Sequence, residues 1–199
     1  MSTEETEQKF IHLHVHSHYS LLDGLSRIPE MVKTAKADGM EALALTDHGV
    51  MYGSIEFYQE CKKLGIKPII GVEAYIAPRS RFEKEAGVDN KRFHLTLLAK
   101  NQIGYKNLMR LISLSYLEGY YYKPRMDREI LKQYSEGIIC LSGCPGGELA
   151  RALFNTDIEK AREIINTYIN IFGKENYFLE VMAHSEIEND DKVVEQIKI

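Results

Sequence analysis

The sequence predicts an α/β fold in which short apolar strands alternate with amphipathic helices around a mainly parallel sheet. Short apolar runs recur along the chain, as expected for buried strands. Between them, apolar residues follow the i, i+3, i+4, i+7 spacing of a helix that packs on one face. No internal repeat, low-complexity run or linker divides the chain, so we expect either a barrel or a doubly wound sheet.

The predicted elements follow one another from the first apolar run onwards. The strands are Phe10–Ser17, Ala42–Thr46, Pro68–Ile76, His94–Ala99, Ile138–Ser142 and Tyr177–Met182. The helical stripes are Ile28/Met31/Val32/Ala35, Phe57/Tyr58/Cys61/Leu64, Tyr105/Leu108/Met109/Ile112 and Ala161/Ile164/Ile165/Tyr168. Glycines that follow helical runs, where such residues commonly end a helix, are Gly39, Gly65 and Gly173.

Length and composition indicate a soluble domain with its own core. The chain has 199 residues, 44% of them apolar, and no run approaches the roughly 18 apolar residues that a membrane helix requires. Because 25 basic residues face 29 acidic ones, the net charge of −4 excludes a domain that holds nucleic acid by its overall charge. The odd count of 3 cysteines argues against a disulfide framework and favours a reducing, cytoplasmic location.

The histidines are concentrated near the N-terminus. Four of the 7 fall in one short segment, at His12, His14, His16 and His18. Since Ile11, Leu13 and Val15 alternate with them, a strand would place the imidazoles on one face, with neighbours roughly 7 Å apart. Two such imidazoles could converge on one metal ion. The alternative is a strand whose polar face is merely rich in histidine.

Further potential ligands follow apolar strand-like runs, such as IIGV before Glu73, and the active sites of βα barrels gather at strand ends. They are Asp47, His48, Glu73, Cys144 and His184. Imidazole, carboxylate and thiolate together suit zinc, with manganese or iron as alternatives. Glu73 is the natural bridge, because a carboxylate can give one oxygen to each of two ions. Clustered divalent ions activate water and neutralise phosphate charge, so this set predicts phosphoester hydrolysis.

Five motifs extend this pattern: HLHVHSHYSLLDG, LALTDHG, GVEAYI, HLTLLAKNQIGYKNL and CLSGCPGGEL. They resemble the PHP (polymerase and histidinol phosphatase) domain, and SLLDG, AKNQIGYKNL and LSGCPGGEL are similar to the branch found in bacterial DNA polymerase III alpha subunits. The resemblance runs from Phe10 to the end of the chain, after a tail over residues 1–9. It implies a distorted seven-stranded βα (TIM-like) barrel with up to three metal ions at the carboxyl ends of the strands.

The resemblance also implies a ligand set. His14 and His16 would hold a first ion, with Glu73 bridging to a second ion held by His94 and Cys144, while Asp23 and His48 would hold a third. The family has one further motif, Asp-x-His, and we expect the domain over residues 10–199 to be incomplete because the chain stops before it. His94 begins its apolar run, so either that strand is antiparallel or it starts earlier.

Each ligand has a less specific interpretation. Asp23 could form a turn with Gly24, His48 could cap a loop, and Glu73 could be a surface residue. We interpret Cys140 and Cys61, which lie within apolar patterns, as core residues. The residues expected to orient ligands or line the site are His12, Asp47 and His184.

Two polar segments could contact nucleic acid. Arg79, Arg81 and Arg92 lie in one connection between predicted strands, although nearby acidic residues also allow a solvated loop. Tyr121 lies in a run of three tyrosines that could stack on an unpaired base or pack on a neighbouring domain.

The resemblance implies a part of a DNA-directed DNA polymerase with metal-dependent 3′→5′ exonuclease activity. Zinc is the expected cofactor, with manganese, iron or magnesium as alternatives. Expected partners are primer-template DNA, the sliding clamp, the clamp loader and a proofreading exonuclease subunit. The alternatives are a structural platform that docks such a subunit and a stand-alone phosphatase of the histidinol phosphatase type.

Overall fold

In the computed structural model, which describes residues 10–21 and 23–182, helices pack against a mixed β-sheet. The helices are α1 Ile28–Ala37, α2 Ser54–Leu64, α3 Gln102–Leu117, α4 Arg128–Gln133, α5 Glu148–Phe154 and α6 Ile158–Phe172. The strands are β1 Ala42–Leu45, β2 Lys67–Ile76, β3 Phe93–Ala99, β4 Arg125–Met126, β5 Ile138–Leu141 and β6 Tyr177–Phe178. The predicted helical stripes lie in α1, α2, α3 and α6, whereas the short elements α4, α5 and β4 were not predicted.

The sheet has the strand order β1-β2-β3-β5-β6, with β4 paired to β2. β1 and β2 are parallel, as are β5 and β6, but β3 runs antiparallel to both β2 and β5. The prediction of a mainly parallel sheet is therefore wrong at its centre. The connection over residues 77–92 contains no helix to carry the chain back, so β3 starts at the end of the sheet where β2 finishes. The six strands within the described ranges do not close into a barrel.

The predicted first strand, residues 10–17, is not a regular strand. The backbone bends at Leu13 and His14, yet the segment still lies along β1. The carbonyl oxygen of His12 accepts a hydrogen bond from Ala44 N at 3.0 Å, and that of Val15 accepts one from Thr46 N at 2.8 Å. This pairing carries the histidine-rich segment to the carboxyl end of β1.

Two apolar clusters hold the helices to the sheet. In the smaller, Ile28 and Val32 of α1 pack with Phe57 of α2 and with the residues of β1. In the larger, α3, α5 and α6 cover β2, β3 and β5. Cys61 and Cys140 are fully buried in these clusters, where their thiols act as small apolar side chains. The helices thus pack on apolar side chains of the sheet, while a third apolar cluster, Ala44, Leu98 and Leu141, is formed by strand residues alone.

Buried arginines fix the connection between β2 and β3. Arg125, which is 0% exposed, donates to four main-chain carbonyls, those of Arg81, Glu83, Asp89 and Gly119, at 2.7–3.0 Å. Arg81 and Arg79 pair with the buried carboxylates of Asp127 and Asp89, each through two oxygens. We call Arg79, Arg81, Asp89, Arg125 and Asp127 the arginine framework. Arg79 and Arg81 are therefore engaged in contacts within the protein, although the Arg79 side chain is 44% exposed, and their contact with nucleic acid stays a prediction.

Candidate metal centre

Glu73 lies at the centre of a group of imidazoles. Its side chain is 1% exposed, and it is approached by five of the predicted ligands. Oε2 lies 3.4 Å from His14 Nε2, 3.1 Å from His16 Nε2 and 2.7 Å from His48 Nδ1, while Oε1 lies 2.8 Å from His94 Nδ1 and 3.2 Å from Cys144 Sγ. The structure thus gathers side chains that are up to about 130 residues apart in sequence around a single carboxylate.

Neighbouring strand ends deliver these side chains. His48 follows β1 and forms a parallel bridge with Glu73, and Gly49 N donates to Glu73 O at 2.9 Å. His94 is the second residue of β3, where it pairs with Tyr75. Because β3 is antiparallel to β2, its first residues lie beside the last residues of β2, and the antiparallel alternative for His94 is the correct one. Cys144 lies in the loop after β5.

Asp23 extends the group towards solvent. Its side chain is 55% exposed, and Oδ2 lies 2.8 Å from His48 Nε2. The loop that carries it is held by Asp47, which is 1% exposed and accepts hydrogen bonds from Ser17 N, Ser17 Oγ and Ser20 Oγ. Ser20 Oγ in turn accepts from His48 N at 3.0 Å. Asp47 therefore fixes the loop through its side chain, and its main-chain carbonyl accepts a hydrogen bond from Glu73 N at 3.1 Å.

The electrostatics of the centre favour an ionised Glu73 and protonated His14 and Cys144 side chains. Burial opposes ionisation of Glu73, but the imidazoles of His14, His16, His48 and His94 outweigh it and lower the pKa of this carboxyl far below its usual range. Burial likewise opposes protonation of His14, yet Glu180 and Glu73 raise its pKa to about 9. Burial, with the nearby Glu73 charge, raises the pKa of the Cys144 thiol to about 12. A metal ion that bound here would have to displace these protons.

The arrangement fits a divalent metal ion better than it fits a closed hydrogen-bond network. Glu73 Oε2 and His48 Nδ1 are buried and 2.7 Å apart, but neither has a partner with hydrogen-bond geometry. Two groups offer ligand atoms within 4.8 Å of one another, and both contain Glu73; the first adds His14 and His16, the second His48 and His94. Imidazole and carboxylate donors in such sets suit first-row transition ions.

Glu180 is a member of the site that the sequence analysis missed. Its Oε1 lies 2.6 Å from His14 Nδ1, on the side of the ring away from Glu73, and its side chain is 9% exposed. The signal available in the sequence was an acidic residue inside the apolar run YFLEVMA. Periodicity predicts a strand there and draws attention to His184, which follows it, as a residue that lines the site. His184 lies outside the described residues.

The remaining candidates lie away from Glu73. His12 and His18 are exposed and their rings contact Phe10 and Tyr19, so the bent segment does not present all four imidazoles on one face as predicted. The guanidinium of Arg92 lies 5.6 Å from the centroid of the Tyr75 ring, at the edge of the site. The Tyr121 ring lies 5.3 Å from the guanidinium of Arg125 and so contacts the arginine framework.

The chain is similar in sequence to known proteins. A DNA polymerase III subunit alpha from Borreliella burgdorferi is 49% identical over 190 residues, which are 95% of this chain and 16% of that protein. The subunits named in the same way from Treponema pallidum and Thermus aquaticus are 51% and 47% identical over 92% and 88% of this chain. The chain spans only 15–16% of the length of these relatives.

The fold has a solved counterpart. An amidohydrolase from Chromobacterium violaceum superposes with a TM-score of 0.56 over 94% of this chain and 81% of its own, at 16% identity, which supports the fold alone. None of the helices in the described ranges is both long and apolar enough to cross a membrane. A sequence model of the PHP domain matches residues 12–184. Together with the relatives, this match shows that the chain belongs to the PHP domain family.

Proposed function

We propose that this chain is the PHP domain of a bacterial DNA polymerase III alpha subunit and hydrolyses phosphodiester bonds at the 3′ end of a primer. The observation that carries the proposal is the convergence of four imidazoles and a thiol on the buried carboxylate of Glu73. The names of the relatives support the replicative setting. The proposed partners are primer-template DNA, the sliding clamp, the clamp loader and a proofreading subunit, in the bacterial cytoplasm.

We assign the ligands as the resemblance implies, with zinc as the proposed metal. His14 and His16 would hold one ion, His94 and Cys144 a second, and Asp23 and His48 a third, with Glu73 shared between the first two. Divalent ions bound there would supply an activated water and neutralise charge on a phosphate oxygen. We propose that the complete domain is a seven-stranded barrel.

Side chains at the exposed edge of the site would contact and orient the substrate. Asp23 is exposed and contacts His48 Nε2, so this pair would meet an entering phosphate group first. Arg92, at the edge of the site beside Tyr75, is the proposed contact to the nucleic-acid backbone. Tyr121, whose ring contacts Arg125, is the proposed site for stacking of an unpaired base.

The test uses the full-length alpha subunit that contains this chain, incubated with zinc or manganese, a primer carrying a mismatched 3′ end, and no nucleotides. We expect shortening of the primer that is lost in His14→Ala and Glu73→Gln. His18→Ala, which changes an exposed imidazole outside the centre, is the matched control and should leave the rate unchanged. Shortening that persists in the first two variants would contradict the proposal.

The second candidate function is a structural platform for another subunit. It is favoured by an apolar groove of about 1320 Å³ between the segment at residues 10–14 and residues 178–182, where Phe178 at the end of β6 and Val181 beyond it are each 49% exposed. Phe178→Glu in the alpha subunit should then weaken copurification of the proofreading subunit while leaving primer shortening intact. Unchanged copurification would count against the platform.

A further inference from the structure

Glu180 contacts the Nδ1 edge of the His14 ring, which points away from the centre. We infer that Glu180 is a positioning residue: it accepts the Nδ1–H of His14 and so leaves the Nε2 lone pair directed towards Glu73, where a metal ion would bind. This inference rests on the proposed metal site and adds to it a residue that holds a ligand without touching the ion.

Hydrogen bonds on both sides hold the Glu180 carboxylate in place. Oε1 lies 2.6 Å from His14 Nδ1, and Oε2 accepts from Thr96 Oγ1 at 3.1 Å. The main chain is fixed as well, because Glu180 N donates to Ser142 Oγ at 2.8 Å directly beyond the pairing of β5 with β6. The carboxylate therefore cannot swing away from the imidazole without breaking its hydrogen bond to Thr96 of β3, and the main chain that carries it is tied to Ser142.

His14 needs this support because its own segment is irregular. The backbone bends at His14, and the neighbouring main-chain bonds to β1 come from His12 and Val15. A neutral imidazole carries one proton, and the group that accepts a hydrogen bond from one ring nitrogen decides that the other offers its lone pair. Glu180 supplies that acceptor.

The position of the ring separates the role of Glu180 from that of a ligand. His14 presents Nδ1 to Glu180 and Nε2 to Glu73, at 2.6 and 3.4 Å, so the imidazole lies between the two carboxylates. Both ligand groups found in the described part of the chain contain Glu73, and neither contains Glu180. Thr96, which pairs with Glu73 across β2 and β3, also lies on the Glu180 side, with Oγ1 3.2 Å from Nδ1.

The experiment measures zinc affinity of the 199-residue chain by competition with a chromogenic chelator. We expect Glu180→Ala to weaken zinc binding by about 10- to 100-fold, the usual effect of removing a partner behind a metal-bound histidine. Glu180→Gln keeps an oxygen that can accept the Nδ1–H, so its affinity should stay close to that of the unchanged chain. Glu159→Ala, which removes an exposed carboxylate on α6, is the control.

A second readout follows the tautomer of His14 directly. In ¹⁵N spectra of the zinc-bound chain, assigned with His14→Gln, we expect the proton of His14 on Nδ1 in both the unchanged chain and Glu180→Gln. A proton on Nε2 would overturn the inference, and this measurement decides the matter if Glu180→Ala fails to fold.

The remaining outcomes also separate the hypotheses. Equal affinity of Glu180→Ala and the unchanged chain would overturn the positioning role, and a Glu180→Gln variant as weak as Glu180→Ala would overturn it in favour of a direct requirement for charge. If the unchanged chain binds no zinc, manganese or iron, the proposed metal function itself fails.

Discussion

The protein buries charged groups in two places, the centre around Glu73 and the arginine framework around Arg125. The two places differ in how completely these groups are hydrogen-bonded. In the framework, Arg125 donates to four carbonyl oxygens, and the carboxylates of Asp89 and Asp127 receive paired hydrogen bonds from Arg79 and Arg81. In the centre, Glu73 Oε2 lies among three imidazoles yet lacks a hydrogen bond of acceptable geometry.

The difference shows what identifies a functional group of buried charges. Guanidinium groups stay protonated throughout the physiological range, and once their hydrogen bonds are made they can only stabilise. Imidazoles and a thiol exchange protons and bind metal ions, so an incompletely bonded cluster of them is suited to chemistry. Burial of charge alone would not have distinguished the two places.

The largest effect should come from breaking the framework. Arg125→Ala leaves four carbonyl oxygens without their donor in the interior, and we expect a loss of about 3–5 kcal/mol in the free energy of unfolding. Denaturant titration followed by circular dichroism measures it. Arg110→Ala, an exposed change on α3, should alter stability by less than about 0.5 kcal/mol. A loss below about 1 kcal/mol in Arg125→Ala would refute the structural role of the framework.

Breaking the centre should affect metal binding instead. Glu73→Gln weakens the bridging ligand, so zinc affinity should fall by about 100-fold or more, equivalent to roughly 2.7 kcal/mol. Chelator competition provides the measurement. His12→Ala, on an exposed ring beside Phe10, should stay within about threefold of the unchanged chain. Equal losses in both variants would mean that the centre is not organised around Glu73.

The pH dependence of stability tests the Arg79–Asp89 pair of the arginine framework. Arg79 holds the pKa of Asp89 below its usual value, so the stabilisation is present above the unfolded-state pKa of about 3.9 and is lost as pH falls through the lower, folded-state pKa. Asp89→Asn lacks this titration, and its stability should fall less steeply below about pH 4. Parallel unfolding curves for both forms would contradict this, with Asp38→Asn, exposed after α1, as the control.

The smallest effect is expected where charge pairs on the surface. Lys63 and Glu60 form an ion pair on α2 in which Lys63 is 66% exposed. Because solvent screens such pairs, Lys63→Ala should change the free energy of unfolding by less than about 0.5 kcal/mol. A loss comparable to that of Arg125→Ala in the same denaturant titration would show that geometry and burial do not separate the two kinds of pair.

The sequence predicted the elements better than their directions. Helical periodicity located α1, α2, α3 and α6 because each buries one apolar face, and four of the predicted strands matched β1, β2, β3 and β5. The run at residues 10–17 is not a regular strand, and only two residues of Tyr177–Met182 form β6. The direction of β3 was left open at His94, since a polar connection such as residues 77–92 has no pattern that tells a return from a crossover. The structure decides it through the register of Glu73 with Thr96.

The sequence predicted the proposed metal ligands better than the residues that hold them in position. His48 and Glu73 could be found because they follow apolar runs, where side chains from different strands meet, and His14 because imidazoles alternate with apolar residues in its segment. Glu180 could not, because its role depends on the contact with His14, which only the tertiary structure shows. The pairing of Arg81 could not be predicted for the same reason: its partner Asp127 lies 46 residues further along the chain.

The antiparallel direction of β3 makes the centre depend on a segment that contributes no ligand. His94 lies at the start of β3, directly after the connection over residues 77–92. The length of this connection therefore sets the position of His94 relative to Glu73. A slip of one residue in the pairing of β2 with β3 would turn His94 and Thr96 to the opposite face together. We therefore expect an insertion in this loop to displace His94 from Glu73 unless the contacts of the arginine framework keep the register of β2 and β3 unchanged.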